Sequence, residues 1–127
     1  MCGIAGIIDY RAKTNTVSGL VSMLRSISYR GPDEAGIYHS KSAAIGNVRL
    51  SILDLNTGQQ PVSDSSGRYW IVQNGEIFNY RELRADLEKK GLTFRTKADT
   101  EVLVQLYALY GWKCLNMLNG QFAFAIW

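Results

Sequence analysis

The chain has 127 residues, of which 46% are hydrophobic and 11% aromatic, so it can form one globular domain with a buried core. Its net charge of +3 comes from 14 basic and 11 acidic residues that are spread along the chain. This balance gives little support to a nucleic-acid or anionic-membrane partner, and no stretch approaches the length of a membrane span.

The cysteines and the single histidine limit the chemistry that the chain can perform. Cys2 and Cys114 are too few for a disulfide framework, and together with His39 they do not make a metal-ligand set. The N-terminus lacks a basic region, and Asp9 follows the apolar residues 4–8, so no signal peptide is predicted. We therefore expect a cytoplasmic protein whose domain here holds no metal and no cofactor.

The first half of the chain predicts one strand, one helix and then several strands. Residues 3–9 have the β-branched content of a buried strand. Apolar residues at helical spacing predict an amphipathic helix with Thr16 as its N-cap, and Arg30-Gly31-Pro32-Asp33 predicts a tight, charged loop after it. Three further strands are predicted over residues 36–40, 42–49 and 50–55.

The second half predicts a strand, two helices and a last strand. Residues 68–72 form the strand, and a helix over 80–92 ends at Gly91. A second helix, capped by Asp99 or Thr100, ends at Gly111. The remaining predictions are loops at 56–58 and 61–67, a short strand at 93–96, a helical piece at 115–118 and a strand at 121–127.

This order lacks regular βαβ alternation, which favours an α+β fold with helices covering one face of each sheet. Residues 121–127 read as a core strand in which the chain stops. Because an unpaired apolar edge promotes association, we expect a domain incomplete at its C-terminus and a homo-oligomer formed through this strand.

Cys2 is a candidate nucleophile. Removal of Met1 would give this residue both a thiol, which titrates near ~8.5, and an α-amine, which titrates near ~7.7–8.0. An N-terminal amine can act as the base for its own side chain, so no histidine is needed. The alternative for Cys2 is a small apolar residue at the start of a buried strand. We interpret Cys114 as an unreactive residue, because its sequence surroundings are apolar.

Asn74-Gly75 follows the strand at 68–72 and is a dipeptide typical of turns. A turn here can present a side-chain amide beside a backbone N–H, and two such donors make an oxyanion hole. The alternative is a hairpin turn that only connects two strands.

Six segments together resemble the glutaminase domain of class II glutamine amidotransferases, and among these the asparagine synthetase group most. They span the whole chain in order: Met1-Cys2-Gly3-Ile4-Ala5-Gly6, Arg30-Gly31-Pro32-Asp33, Arg49-Leu50-Ser51-Ile52, Asn74-Gly75-Glu76-Ile77-Phe78-Asn79, Asp99-Thr100-Glu101 and residues 118–127. The resemblance implies the N-terminal-nucleophile fold, an α/β/β/α sandwich.

The resemblance also implies a reaction. The Cys2 thiolate attacks the side-chain amide of glutamine, ammonia leaves, and water hydrolyses the thioester to glutamate. A separate synthetase domain, with ATP and magnesium, would consume the ammonia to convert aspartate to asparagine. Relatives that amidate a sugar or antibiotic precursor share this domain, and a non-catalytic glutamine-binding or regulatory domain is the alternative from another class.

Residue roles follow from the same resemblance. Cys2, Asn74 and Gly75 are the catalytic residues, the last two as the oxyanion hole. Arg49 would bind the α-carboxylate of glutamine with its planar fork, while its other interpretation is a surface arginine on a strand. Asp99, assisted by Glu76, would pair with the α-ammonium, and otherwise Asp99 is a helix N-cap.

The backbone from Leu50 through Ser51 and Ile52 to Leu53 is expected to line the same pocket. Arg30 and Asp33 are expected to shape the loop beside the nucleophile. Tyr29, Asn47-Val48 and Ala98 depart from the residues that the family usually has, which loosens the assignment to asparagine synthetases proper.

Overall fold

The structure is a computed structural model that describes residues 1–51 and 58–127. Six strands and three helices are defined, with 3₁₀ turns at Ser28–Arg30 and Gly111–Met117. The strands are β1 (Gly3–Ile8), β2 (Glu34–His39), β3 (Ala43–Arg49), β4 (Val62–Ser63), β5 (Trp70–Ile77) and β6 (Gly120–Ile126). The helices are α1 (Thr16–Ser26), α2 (Tyr80–Lys89) and α3 (Asp99–Tyr110). None of these helices is long and apolar enough to cross a membrane.

The strands form two antiparallel sheets. The first sheet has the order β1-β3-β2, and its central strand β3 is buried along its whole length. The second sheet has the order β4-β5-β6, with β5 in the centre. A strand that is buried on both faces needs a packed layer on each side of its sheet. Each of the two sheets has such a layer on both of its faces.

Four layers result. Helix α1 packs on the first sheet, where its Leu20 and Leu24 contact Ala44 and Val48 of β3. Helices α2 and α3 pack on the second sheet around Ile71, and this cluster is the larger core. The remaining faces of the sheets meet each other, because β1 and β3 contact β5. The predicted α/β/β/α sandwich is therefore confirmed.

One aromatic pair defines which side chains lie between the sheets. Tyr38 of β2 stacks on Trp70 of β5 with ring centroids 4.3 Å apart. Side chains alternate along a strand, so the even-numbered residues of β5 point towards the first sheet and the odd-numbered ones towards the helices. Asn74 shares the face of Trp70.

The helix boundaries agree with the sequence except at the N-caps and at the end of α2, which stops at Lys89 rather than at residue 92. Asn15, rather than the predicted Thr16, caps α1, because its side chain accepts a hydrogen bond from the Ser18 N–H at 3.0 Å. Thr16 is instead the first helical residue and is buried. The predicted glycine ends are confirmed, since Gly91 and Gly111 have φ values of +90° and +57°.

Several irregular segments were predicted wrongly. Residues 93–96 are not a strand, because the N–H groups of Arg95 and Thr96 donate to the Glu101 carboxylate rather than to a neighbouring strand. The predicted loop at 61–67 contains strand β4, and Leu50 and Ser51 do not extend β3 as a further strand. The rest of that predicted strand, and the loop residues 56–57, lie outside the described residues.

Candidate functional site

Cys2 lies immediately before β1, at the end of the first sheet. The last β1–β3 pair is Gly3 with Val48, so Cys2 lies just beyond the end of this pairing. The Arg30 Nε donates a hydrogen bond to the Cys2 carbonyl at 3.0 Å. Gly3 packs closely against the end of α1, because a Cβ on it would lie 2.8 Å from the Ile27 Cδ1. The hydrogen bond from Arg30 thus holds the backbone of Cys2 at its carbonyl.

Arg49 ends strand β3 and is not the exposed strand arginine of the alternative interpretation, since only 8% of it is accessible. Its Nη1 donates to the Glu34 Oε2 at 3.0 Å, and Glu34 is its register partner on β2. Gly58 packs so closely that a Cβ there would come 2.8 Å from the Arg49 Cζ. The guanidinium group is therefore fixed in direction, and the Glu34 carboxylate is one of its partners.

The Arg-Gly-Pro-Asp loop runs along the end of β3, as its predicted role requires. The Asp33 N–H donates to the Arg49 carbonyl at 3.1 Å, and the Asp33 Oδ2 accepts from the Ser51 N–H at 2.7 Å. This loop thereby holds the backbone on both sides of Leu50, a predicted pocket residue. Ile52 and Leu53, the other two, lie outside the described residues.

A cleft of about 290 Å³ opens on the Glu34 side of this ion pair. Its walls combine backbone and polar side chains: Glu34, Ala35, Gly36, Asn47, Gln59 and Gln60. Asn47 is buried, and within the described part of the chain its Oδ1 has no hydrogen-bond partner. Carboxylate and amide oxygens accept hydrogen bonds, so this cleft suits a ligand that brings N–H donors.

Asn74 and Gly75 do not form the predicted turn. Both lie inside β5, where they pair with Ala123 and Phe122 of β6, and the strand continues to Ile77. Gly75 nevertheless has a φ of +124°, a conformation that favours glycine. The two residues therefore stand at an irregular point of a strand, with Asn74 half-buried and Gly75 exposed.

Asp99 is the first residue of α3 and does not cap it, because the N-cap residue is Ala98. Its Oδ2 accepts from the Ile77 N–H and from the Gln73 Nε2, both at 2.9 Å. The carboxylate thus joins the start of α3 to the part of β5 that contains Asn74 and Gly75. Glu76, its predicted assistant, is exposed on the same strand.

Glu101 is a residue of this region to which the sequence assigned no function. Its side chain is inaccessible, and it accepts hydrogen bonds from the Arg95 N–H at 2.9 Å and from the Thr96 N–H at 2.7 Å. Burial acts to raise its pKa, but these bonds and the Thr96 hydroxyl outweigh burial, so the pKa lies below its ordinary value. The charged Glu101 fixes the segment that leads into Asp99.

The second residue without an assigned function is Gln73, which is buried and bonded to Asp99. The sequence signals for these two residues are weak: Gln73 is a polar residue within the apolar run of β5, and Glu101 is a glutamate two residues after Asp99. Neither signal says which partner the side chain meets, because the partners of Gln73 lie on another element.

The predicted site residues thus fall into two groups on facing sheets. Cys2 and Arg49 belong to the first sheet, and Asn74, Gly75 and Asp99 belong to the second sheet or its helix. Chemically, the groups offer a thiol, a cation, amide donors and a carboxylate. Within residues 1–51 and 58–127, no three His, Cys, Asp or Glu side chains gather in a way that could hold a metal ion.

Comparisons with known proteins agree with this architecture. Residues 1–127 match the glutamine amidotransferase domain family. The chain is 43% identical to asparagine synthetase [glutamine-hydrolyzing] 1 of Bacillus subtilis and 38% identical to asparagine synthetase B of Escherichia coli; each match covers 100% of this chain. It spans only 21% and 23% of the length of these two relatives.

A solved structure gives the same fold. Glutamine phosphoribosylpyrophosphate amidotransferase of B. subtilis matches with a TM-score of 0.74 and 27% identity, over 99% of this chain and 34% of that one. The match includes both sheets and their covering helices, because it extends over nearly the whole chain.

Proposed function

This chain belongs to the glutamine amidotransferase domain family, and on that basis we propose that it hydrolyses the side-chain amide of glutamine through a thioester on Cys2. The observation that most supports this proposal is the position of Cys2 immediately before β1. Its carbonyl accepts a hydrogen bond from the Arg30 side chain, and the residue is only half-buried. A small core residue would be fully buried, as Cys114 is.

The reaction begins after Met1 has been removed. The free α-amine of Cys2 takes the thiol proton, and the sulfur attacks the amide carbon of glutamine. Negative charge then develops on the amide oxygen, and the Asn74 side chain and the Gly75 N–H are the proposed donors to it. Each such donor contributes ~3–4 kcal/mol to lowering the barrier.

The tetrahedral intermediate collapses as its carbon–nitrogen bond breaks. The ammonium group of Cys2 returns the proton to the leaving nitrogen, so ammonia departs and an acyl thioester remains. Water then attacks the thioester carbon and gives its proton to the amine, and glutamate leaves as the thiol is restored. The cycle needs no metal and no redox partner for its atoms and charges to balance.

Substrate recognition is proposed to use one charged side chain from β3 and one from α3. Arg49 binds the α-carboxylate of glutamine, and Glu34 keeps the guanidinium group in one orientation for that task. Asp99, assisted by Glu76, binds the α-ammonium. Leu50 and Ser51, with Ile52 and Leu53, form the pocket wall in this proposal.

The ammonia is proposed to serve a second domain. The relatives named above are asparagine synthetases four to five times as long as this chain, since the chain spans 21% and 23% of them. We infer that an ATP- and magnesium-dependent synthetase domain of the same protein uses the ammonia to amidate aspartate. A sugar or antibiotic precursor is the alternative acceptor, and a homo-oligomer formed through β6 stays a prediction.

Glutamate release from glutamine by the full-length gene product tests the proposed function. Cys2→Ala should lower the rate by at least about a thousandfold, because the nucleophile is lost. Cys114→Ala, which removes the other thiol from a buried position, should keep the wild-type rate. Equal rates in wild type and Cys2→Ala would refute the thioester, and tight calorimetric binding of glutamine without any glutamate release would support the regulatory alternative instead.

A further inference from the structure

The side chain of Gln73 connects Asp99 with Gly75, two predicted site residues on α3 and β5. Its Nε2 donates to the Asp99 Oδ2 at 2.9 Å and approaches the Gly75 carbonyl at 3.4 Å. Its own N–H donates to the Gln60 Oε1 at 2.6 Å, which fixes the backbone. The first of the side-chain bonds is the stronger one, since its length is that of a charge-assisted hydrogen bond.

The orientation of the Gln73 amide is chemically determined. Only the NH₂ end can face a carboxylate, because the carbonyl end is an acceptor and would repel the Asp99 Oδ2. This choice leaves the Gln73 Oε1 buried, and among the residues that the structure describes it has no hydrogen-bond partner. A buried acceptor without a partner lowers stability, which offsets part of what the bond to Asp99 contributes.

Gln73 is the second donor to one oxygen of the Asp99 carboxylate. The Ile77 N–H and the Gln73 Nε2 both donate to Oδ2, and no hydrogen bond among the described residues ends on Oδ1. Two donors on one oxygen hold the carboxylate plane in one direction. A ligand cation would therefore meet Oδ1 at a fixed position.

We propose that Gln73 is a positioning residue that makes the site selective for substrates carrying an α-ammonium group. This inference rests on the proposed function, in which Asp99 binds that ammonium. Gln73 acts through Asp99 and touches no reacting atom. Without its Nε2, the carboxylate keeps one donor only and can rotate away from the ammonium, so selectivity decreases while the pocket for the rest of glutamine stays.

Binding of two ligands measures this selectivity without turnover. Glutamine and 4-carbamoylbutanoate, which is glutamine without its α-amino group, are titrated calorimetrically into the full-length gene product that carries Cys2→Ala. The ratio of the dissociation constant of 4-carbamoylbutanoate to that of glutamine should fall about tenfold on adding Gln73→Met, which is the effect of one hydrogen bond to a charged group. Most of the change should come from weaker binding of glutamine.

Gln105→Met is the matched control. Gln105 is as deeply buried, and its amide makes two hydrogen bonds to Ser65, a residue that follows β4 and has no role in the proposed site. This variant should lower the melting temperature but leave the ratio unchanged. A Gln73→Met protein that keeps the wild-type ratio, or that loses affinity for both ligands equally, would overturn the proposal.

The binding ratio can be distinguished from a failure of the variant to fold and from a failure of the proposed reaction. If Gln73→Met does not fold, Gln73→Leu also removes the Nε2 donor without adding a charge beside Asp99, and the same fall in ratio is expected. Failure of both variants to fold would make Gln73 a core residue and would also overturn the proposal. Absence of Cys2-dependent glutamate release, by contrast, refutes the proposed function and leaves this binding ratio measurable.

Discussion

Replacing Gly75 by alanine should destabilise the domain strongly, for two reasons that the structure separates. The φ of +124° is a conformation that L side chains rarely adopt, and forcing one into it costs about 1–3 kcal/mol. The added Cβ would also lie 2.7 Å from the Phe122 Cα, and it would overlap the Gln121 carbonyl. Because these are backbone atoms of β6, the two strands would have to separate, which costs about 1–3 kcal/mol more.

The total of about 2–6 kcal/mol corresponds to a decrease in melting temperature of roughly 6–30 °C for a domain of this size. Thermal unfolding followed by circular dichroism measures it. Gly91→Ala is the control, because Gly91 also has a positive φ, +90°, but a Cβ there has nothing within 4 Å. If Gly75→Ala and Gly91→Ala lower the melting temperature equally, the claimed contact between the strands at Gly75 is wrong.

Three further changes should have distinct effects. The folded-state pKa of Glu101 lies below its ordinary 4.5, so its charge adds stability above pH 4.5 that is lost as the pH falls through the folded pKa. Glu101→Gln should therefore lower the free energy of unfolding by about 2 kcal/mol at pH 7. Denaturant titrations that show the same acid-induced loss of stability in wild type and variant would contradict this. Arg30→Met should lower kcat for glutamate release by about tenfold with little change in KM, since Arg30 orients Cys2 rather than binding substrate; a change in KM alone would speak against that role. Asn15→Ala should cost about 1 kcal/mol through loss of the cap bond to Ser18, whereas an unchanged melting temperature would refute the cap.

The regular elements were predictable because their signals are local. The apolar spacing of residues 17–27 predicts a helix, and the structure has one at Thr16–Ser26. The N-cap was placed one residue late, because Asn15 and Thr16 are both good capping residues and only geometry shows which side chain reaches the Ser18 N–H.

The errors arose where distant partners override a local preference. Asn-Gly favours a turn, but pairing with Phe122 and Ala123, nearly fifty residues later, keeps it in a strand. Residues 93–96 have strand-forming composition, but the Glu101 carboxylate takes their N–H groups.

The candidate site shows the same division. The resemblance of short motifs identified the family, which the comparison over residues 1–127 confirms. The motifs could not show that Arg49 is paired with Glu34 or that Asp99 accepts from Gln73, because each of these contacts joins two elements whose packing is decided by the whole core. The roles of Cys2, Asn74 and Gly75 stay predictions.

Covalent labelling tests the central claim, the Cys2 nucleophile, most directly. The full-length gene product is treated with a glutamine analogue that carries an electrophilic carbon in place of the amide, and the modified peptide is identified by mass spectrometry. Cys114 is an internal control, because burial raises the pKa of its thiol and keeps it unreactive. We predict one adduct, on a Cys2 that has lost Met1, and protection by glutamine; labelling of Cys114, or of a chain that retains Met1, would contradict the account.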